Sequence, residues 1–124
     1  MKQVERRFEQ NVALYAPPHR VIKHKGRSVE VLPTLHAQYR EYFDLIYVDG
    51  SHSAADVLSD AVMSFPLLRP RGILAFDDYL WCLSQSPLAT PKIAVDAFVN
   101  CFRAVSQVAF SSNDQVWVQK LHRS

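Results

Sequence analysis

Two short apolar segments, each ending at aspartate, decide the fold of this 124-residue chain. The first reads FDLIYVDGSH at residues 43–52, and the second reads ILAFDDYLW at residues 73–81. A continuous run of β-branched, aromatic and aliphatic residues such as LIYV is typical of a strand buried on both faces of a parallel sheet. We therefore predict strands near 44–48 and 72–76, followed directly by Asp49 and by the pair Asp77–Asp78.

The segments around these two strands predict an alternation of helices and strands. Helical spacing of apolar residues indicates helices over 1–15 and 28–39, after Ser53, and after Thr90–Pro91. RVIKH at 20–24 is a short strand candidate, and the C-terminal segment predicts a hairpin near 106–110 and 115–120. This order is typical of a single α/β domain spanning residues 1–124, with a mainly parallel sheet and a C-terminal antiparallel hairpin.

Composition excludes several classes of function. The net charge is +2 at pH 7, which gives no strong attraction to nucleic acid or to an anionic membrane. No apolar run is long enough to span a bilayer, and the polar N-terminus does not resemble a signal peptide. The two cysteines form no CxxC motif. We expect a cytoplasmic protein that binds neither nucleic acid nor a membrane.

The three aspartates are the candidate functional residues. In open α/β sheets ligands bind outside the carboxyl ends of the strands, so Asp49, Asp77 and Asp78 are expected to face one crevice. Carboxylate oxygens suit a hard divalent cation such as Mg²⁺ or Ca²⁺. In the alternative interpretation, each aspartate only caps the loop or helix that follows it.

Nearly the whole chain resembles one enzyme family. The segments FDLIYVDGSH, ILAFDDYLW, RFEQNVALY, KHKGRSVEVLPTL, PKIAVDAFVNCF and QVWVQK resemble class I S-adenosylmethionine-dependent methyltransferases, above all small-molecule O-methyltransferases of the caffeoyl-CoA and catechol type. The resemblance implies a partial Rossmann-like fold, S-adenosylmethionine as cofactor, and methyl transfer to a small-molecule substrate with Mg²⁺ or another divalent cation assisting.

The resemblance also implies roles for individual residues. Gly26, Arg27 and Ser28 match the turn beside the cofactor's adenine, while Asp49 and Gly50 match residues near its methionine end. The metal ligands would be Asp49, Asp77 and Asp78, where Asp78 replaces an asparagine common in the family. Asp49 and His52 are the candidate catalytic residues. His52 has no fixed family role, and is either a general base or a loop histidine.

One unit of the family is not found in the sequence. The family begins with a strand, a Gly-x-Gly turn and a helix, whereas this chain has only three glycines and no GxG. We therefore expect a truncated chain, the C-terminal portion of the fold, that binds S-adenosylmethionine weakly by itself. The strand at 44–48 would then have a free edge. RVIKH is expected to pair with that edge, and the alternative is a homodimer formed through it.

Two rival interpretations are weighed against a methyltransferase. A response-regulator receiver needs an acidic pair before the strand-end aspartate and a later lysine, whereas here the pair comes afterwards and FDDYLW has no lysine. A non-catalytic binding or interaction domain on a degenerate methyltransferase scaffold stays open, and cofactor titration would distinguish it from an enzyme.

Overall fold

The computed structural model describes residues 2–15, 21–81 and 85–122. The helices are α1 (Lys2–Tyr15), α2 (Ser28–Tyr39), α3 (Ala54–Ser64) and α4 (Lys92–Cys101), with short 3-10 turns at Phe65–Leu67 and Pro87–Ala89. The strands are β1 (Phe43–Val48), β2 (Leu68–Phe76), β3 (Ser106–Ser111) and β4 (Val116–Lys120). Within these ranges, none of the helices has the length and apolar character needed to cross a bilayer.

The described strands form one sheet in the order β1-β2-β4-β3. β1 and β2 run parallel, whereas β4 pairs antiparallel with both β2 and β3. The α/β class, the strands at LIYV and ILAF and the C-terminal hairpin are thus confirmed. The expected burial of LIYV on both faces is wrong, because β1 lies at the edge of the described sheet and leaves Leu45 and Tyr47 exposed. The sheet is mixed rather than mainly parallel, because the hairpin supplies two of its four strands.

The two faces of the sheet differ in what covers them. The inner face packs against α3 and α4 through a core that includes Val48, Leu74, Phe76, Val116 and Val118. On the opposite side, which we call the outer face, Leu45, Tyr47 and Trp117 alternate with these residues and stay exposed. Strand alternation explains the difference, because successive side chains point to opposite faces.

The expected strand at 20–24 is not formed. Residues 21–25 have no strand conformation, and Arg20 lies outside the described residues. Lys23 instead donates hydrogen bonds to Glu5 and Glu9 of α1, at 2.7 and 2.9 Å. Within the described ranges, β1 therefore pairs with β2 alone, and the expected fifth strand is wrong.

Lys120 fixes the end of the hairpin against the rest of the domain. This buried side chain donates from Nζ to the carbonyl oxygens of Phe65 and Leu68, at 3.0 and 2.8 Å. The ammonium also lies 4.6 Å from the centre of the Phe65 ring. Buried polar contacts of this kind hold β4 in register beside β2.

Candidate functional site

The three predicted aspartates converge at one end of the sheet. Asp49 follows β1, and Asp77 and Asp78 follow β2; the two strands are parallel and aligned with Val48 opposite Phe76. One carboxylate oxygen from each residue lies within 4.8 Å of the others. We call this group the acidic edge. The predicted convergence of the three carboxylates is therefore observed.

His52 is tied to the acidic edge by one hydrogen bond and one ring contact. Its Nε2 lies 2.8 Å from Oδ2 of Asp78, and its ring stacks on Trp81 with the centroids 4.0 Å apart. Asp78 itself has a φ of +56°, in the left-handed region that aspartate tolerates better than most residues. The turn after β2 thus aims the Asp78 carboxylate at His52.

Asp77 lies in a second set of hydrogen bonds, on the hairpin side. The side-chain hydrogen bond with Tyr47 lowers the pKa of Asp77 and raises the pKa of Tyr47. The amide nitrogen of Gln115 lies 3.4 Å from Oδ1 of Asp77 and 3.2 Å from the Tyr47 hydroxyl. Because these donors favour the charged carboxylate, Asp77 is ionised at neutral pH.

The donor set fits a hard divalent cation. Carboxylate oxygens are the preferred ligands of Mg²⁺ and Ca²⁺, at about 2.0–2.6 Å from the ion, so two ligands on opposite sides of the ion lie about 4–5 Å apart. The 4.8 Å spread of the acidic edge is in that range. Three carboxylates this close together would otherwise repel one another.

Three of the five residues expected to contact the cofactor line one small cavity, whereas Gly26 and Asp49 are not part of its lining. Arg27, Ser28 and Gly50 surround a volume of about 120 Å³, together with Asp60 on α3. Gly26 has a φ of +143°, a conformation that favours glycine, and an added Cβ would lie 3.1 Å from a methyl group of Val31. Arg27 and Ser28 of this turn thus lie on the same cavity as Gly50.

The sequence did not single out several residues of this site. Tyr47, Asp60, Trp81 and Gln115 contact or flank the predicted residues. One signal was available for Gln115. It is the first residue after the polar turn SSND, and a strand that pairs antiparallel with β2 begins at the edge of the sheet where β2 ends.

A family model described as a methyltransferase domain matches residues 2–79. The chain belongs to the methyltransferase domain family. The matched region contains both the small cavity and the whole acidic edge, from the turn at 26–28 to Asp78. The predicted resemblance to class I methyltransferases is confirmed, and the receiver interpretation is wrong.

Solved structures agree with this assignment at the level of the fold. A Corynebacterium glutamicum protein matches 100% of this chain and 59% of its own length, with 20% identity and a TM-score of 0.74. The Streptomyces achromogenes O-methyltransferase TomG, in complex with SAM, matches 98% of this chain and 59% of its own, with 19% identity and a TM-score of 0.71. MycE methyltransferase of the mycinamycin pathway, in complex with Mg and SAH, matches 80% and 31%, with 19% identity and a TM-score of 0.62.

The chain therefore spans about three fifths of the length of the first of these proteins. No curated protein matches the sequence.

Proposed function

We propose that this chain carries the cation centre and part of the cofactor site of an S-adenosylmethionine-dependent O-methyltransferase acting on a small molecule. The convergence of Asp49, Asp77 and Asp78 within 4.8 Å carries the proposal, together with the cavity lined by Arg27, Ser28 and Gly50. TomG was solved with SAM and MycE with Mg and SAH, and both share this fold, which supports the choice of cofactor and cation.

Each part of the site has a role in this proposal. When bound, S-adenosylmethionine supplies the methyl group, and the cation lowers the pKa of the acceptor hydroxyl. Asp49, Asp77 and Asp78 hold the cation, while Arg27, Ser28 and Gly50 orient the cofactor. Alignment of the two reactants lowers the activation free energy of such a displacement by several kcal/mol, and by about 7–11 kcal/mol at best.

His52 is the residue of this site best placed to accept a proton. Its Nε2 contacts Asp78, and its side chain is partly exposed at the acidic edge. A histidine held by a carboxylate can take the proton of the acceptor hydroxyl. The non-catalytic interpretation is not favoured, because an interaction scaffold has no need to gather three repelling carboxylates.

The first experiment tests the cation centre by calorimetric titration with Mg²⁺. We expect uptake by the wild type and roughly tenfold or greater weakening in Asp49→Asn, because a ligand charge is lost. Asp44→Asn is the matched control, since Asp44 lies on the same strand but pairs with Arg69. Absence of uptake, or an equal loss in both variants, would contradict the proposal.

The second experiment tests the cofactor site by NMR, which detects even weak binding. On addition of millimolar S-adenosylmethionine, we expect the amide signals of the 26–28 turn and of Gly50 to shift the most. Shifts confined to α4 or to the hairpin would place the cofactor elsewhere and would contradict these assignments.

We further propose that β1 pairs through its free edge with a second copy of the chain. Support comes from its position at the edge of the described sheet and from the exposed Leu45 and Tyr47.

A further inference from the structure

The C-terminal hairpin places a glutamine directly beside the acidic edge. β4 runs antiparallel to β2, with Val116 opposite Phe76, so the residue before Val116 lies next to the residue after Phe76. These two residues are Gln115 and Asp77. The family model ends at residue 79, so Gln115 lies outside the matched region.

Trp117 determines which way the Gln115 amide points. The indole Nε1 of Trp117 donates a hydrogen bond to Oε1 of Gln115 at 3.1 Å. An indole N–H can only donate, so the amide oxygen must face Trp117 and the amide nitrogen must face away from it. The indole N–H therefore fixes the orientation of the Gln115 amide, and the positions of its nitrogen and oxygen are not interchangeable.

The amide nitrogen then has two acceptors within reach. It lies 3.2 Å from the Tyr47 hydroxyl and 3.4 Å from Oδ1 of Asp77. Gln115, the residue before β4, therefore holds the Asp77 carboxylate from the side of the outer face, where Tyr47 of β1 also lies.

We propose that Gln115 is a positioning residue for the cation centre, holding the Asp77 carboxylate in the orientation that meets Asp49 and Asp78. The inference rests on the proposed function. Three carboxylates within 4.8 Å repel one another when no cation neutralises them, and a freely rotating Asp77 would turn away. By restraining that rotation, Gln115 lowers the cost of ordering the ligands when the cation binds.

In this proposal the C-terminal hairpin contributes to cation binding by orienting one of the ligands. Partners that orient a ligand typically change metal affinity by about 10–100-fold when they are removed. Gln115→Met keeps the length of the side chain but removes both N–H groups. Gln107→Met is the matched control, because Gln107 is an exposed glutamine of the same hairpin whose amide donates to Gln119.

The experiment titrates the full 124-residue chain with Mg²⁺ by calorimetry, with thermal melting as the test of folding. We expect Gln115→Met to bind Mg²⁺ roughly tenfold or more weakly, and Gln107→Met to match the wild type. Trp117→Phe keeps the aromatic contact with Phe110 but frees the amide to rotate, so it is expected to fall between them. If Gln115→Met does not fold, the Trp117→Phe titration decides.

The titrations distinguish failure of the positioning role from failure of the proposed cation centre. Mg²⁺ uptake that Gln115→Met leaves unchanged, or a loss shared equally by Gln107→Met, overturns the positioning role and leaves the cation centre in place. No Mg²⁺ uptake by the wild type overturns both.

Discussion

At the scale of single residues, two carboxyl groups near the proposed site lie in opposite environments. The hydrogen bond from Tyr47 is the largest cause that lowers the pKa of Asp77. Burial is the largest cause that raises the pKa of Asp60, against a lowering by the hydrogen bond from Ser28. The environment of Asp77 therefore favours its charged form. At Asp60, by contrast, the negative charge destabilises the folded state at neutral pH.

We expect Asp60→Asn to raise the thermal unfolding midpoint at about pH 7 and to leave it nearly unchanged at about pH 3. The folded pKa of Asp60 lies above its unfolded value, so the charge costs stability above the folded pKa. That cost disappears as the pH falls below the unfolded pKa, where both states are protonated. The gain is at most about 1 kcal/mol, because solvent screens a partly exposed charge.

Asp114→Asn serves as the control for this prediction, since Asp114 is an exposed carboxylate in the turn of the C-terminal hairpin and is not among the causes that shift the pKa of Asp60. Melting curves at the two pH values measure the difference. If Asp60→Asn raises the unfolding midpoint equally at about pH 7 and at about pH 3, titration of Asp60 is not the cause.

At the scale of elements, α4 buries an aromatic ring in the core beside Ala94 and Val95. Phe98 is fully buried, stacks on Phe102 at 4.3 Å, and meets Phe65 and Phe76 edge-on at 5.7 and 5.6 Å. We expect Phe98→Ala to lower the free energy of unfolding by about 3–5 kcal/mol, because a cavity replaces the ring. Urea denaturation measures it.

Ile93→Ala on the same helix is the control, since Ile93 is 47% exposed and the change should cost less than about 1 kcal/mol. Equal losses for the two variants would mean that burial does not decide the stability contributed by α4.

The second feature at this scale is the edge of β1 with which no strand of the described residues pairs. We expect the wild type to sediment as a concentration-dependent dimer and Leu45→Lys to shift it to monomer, because a charge near the edge opposes strand pairing. Leu45 is 58% exposed on the outer face, so folding is not expected to change. Val62→Lys is the control, an equivalent change at a site 44% exposed on α3. A monomer at every concentration would rule out edge pairing.

At the scale of the whole molecule, the proposed cofactor site lacks one feature that the family resemblance implies. The chain has three glycines and no GxG, so no glycine turn lets the backbone approach the methionine end of the cofactor. We expect calorimetry of this chain by itself to detect weak S-adenosylmethionine binding or none. A micromolar dissociation constant would contradict this expectation.

The sequence by itself determined the two parallel strands and the acidic edge. LIYV and ILAF are continuous apolar runs, which predict strands, although in β1 Leu45 and Tyr47 stay exposed on the outer face. Parallel strands end at the same edge of a sheet, so Asp49 and Asp77 had to meet once β1 and β2 were neighbours. Local pattern and strand direction were sufficient for this part.

Only the tertiary structure decided which segments pair and what surrounds the aspartates. RVIKH has a strand-like pattern, but Lys23 binds Glu5 and Glu9 instead of leaving the segment to join β1. Gln115 reaches Asp77 because β4 aligns with β2 across 38 residues of sequence. Such contacts depend on strand register and on competition between distant segments. Neither can be predicted from the local spacing of apolar residues, because both are set by residues far apart in the chain.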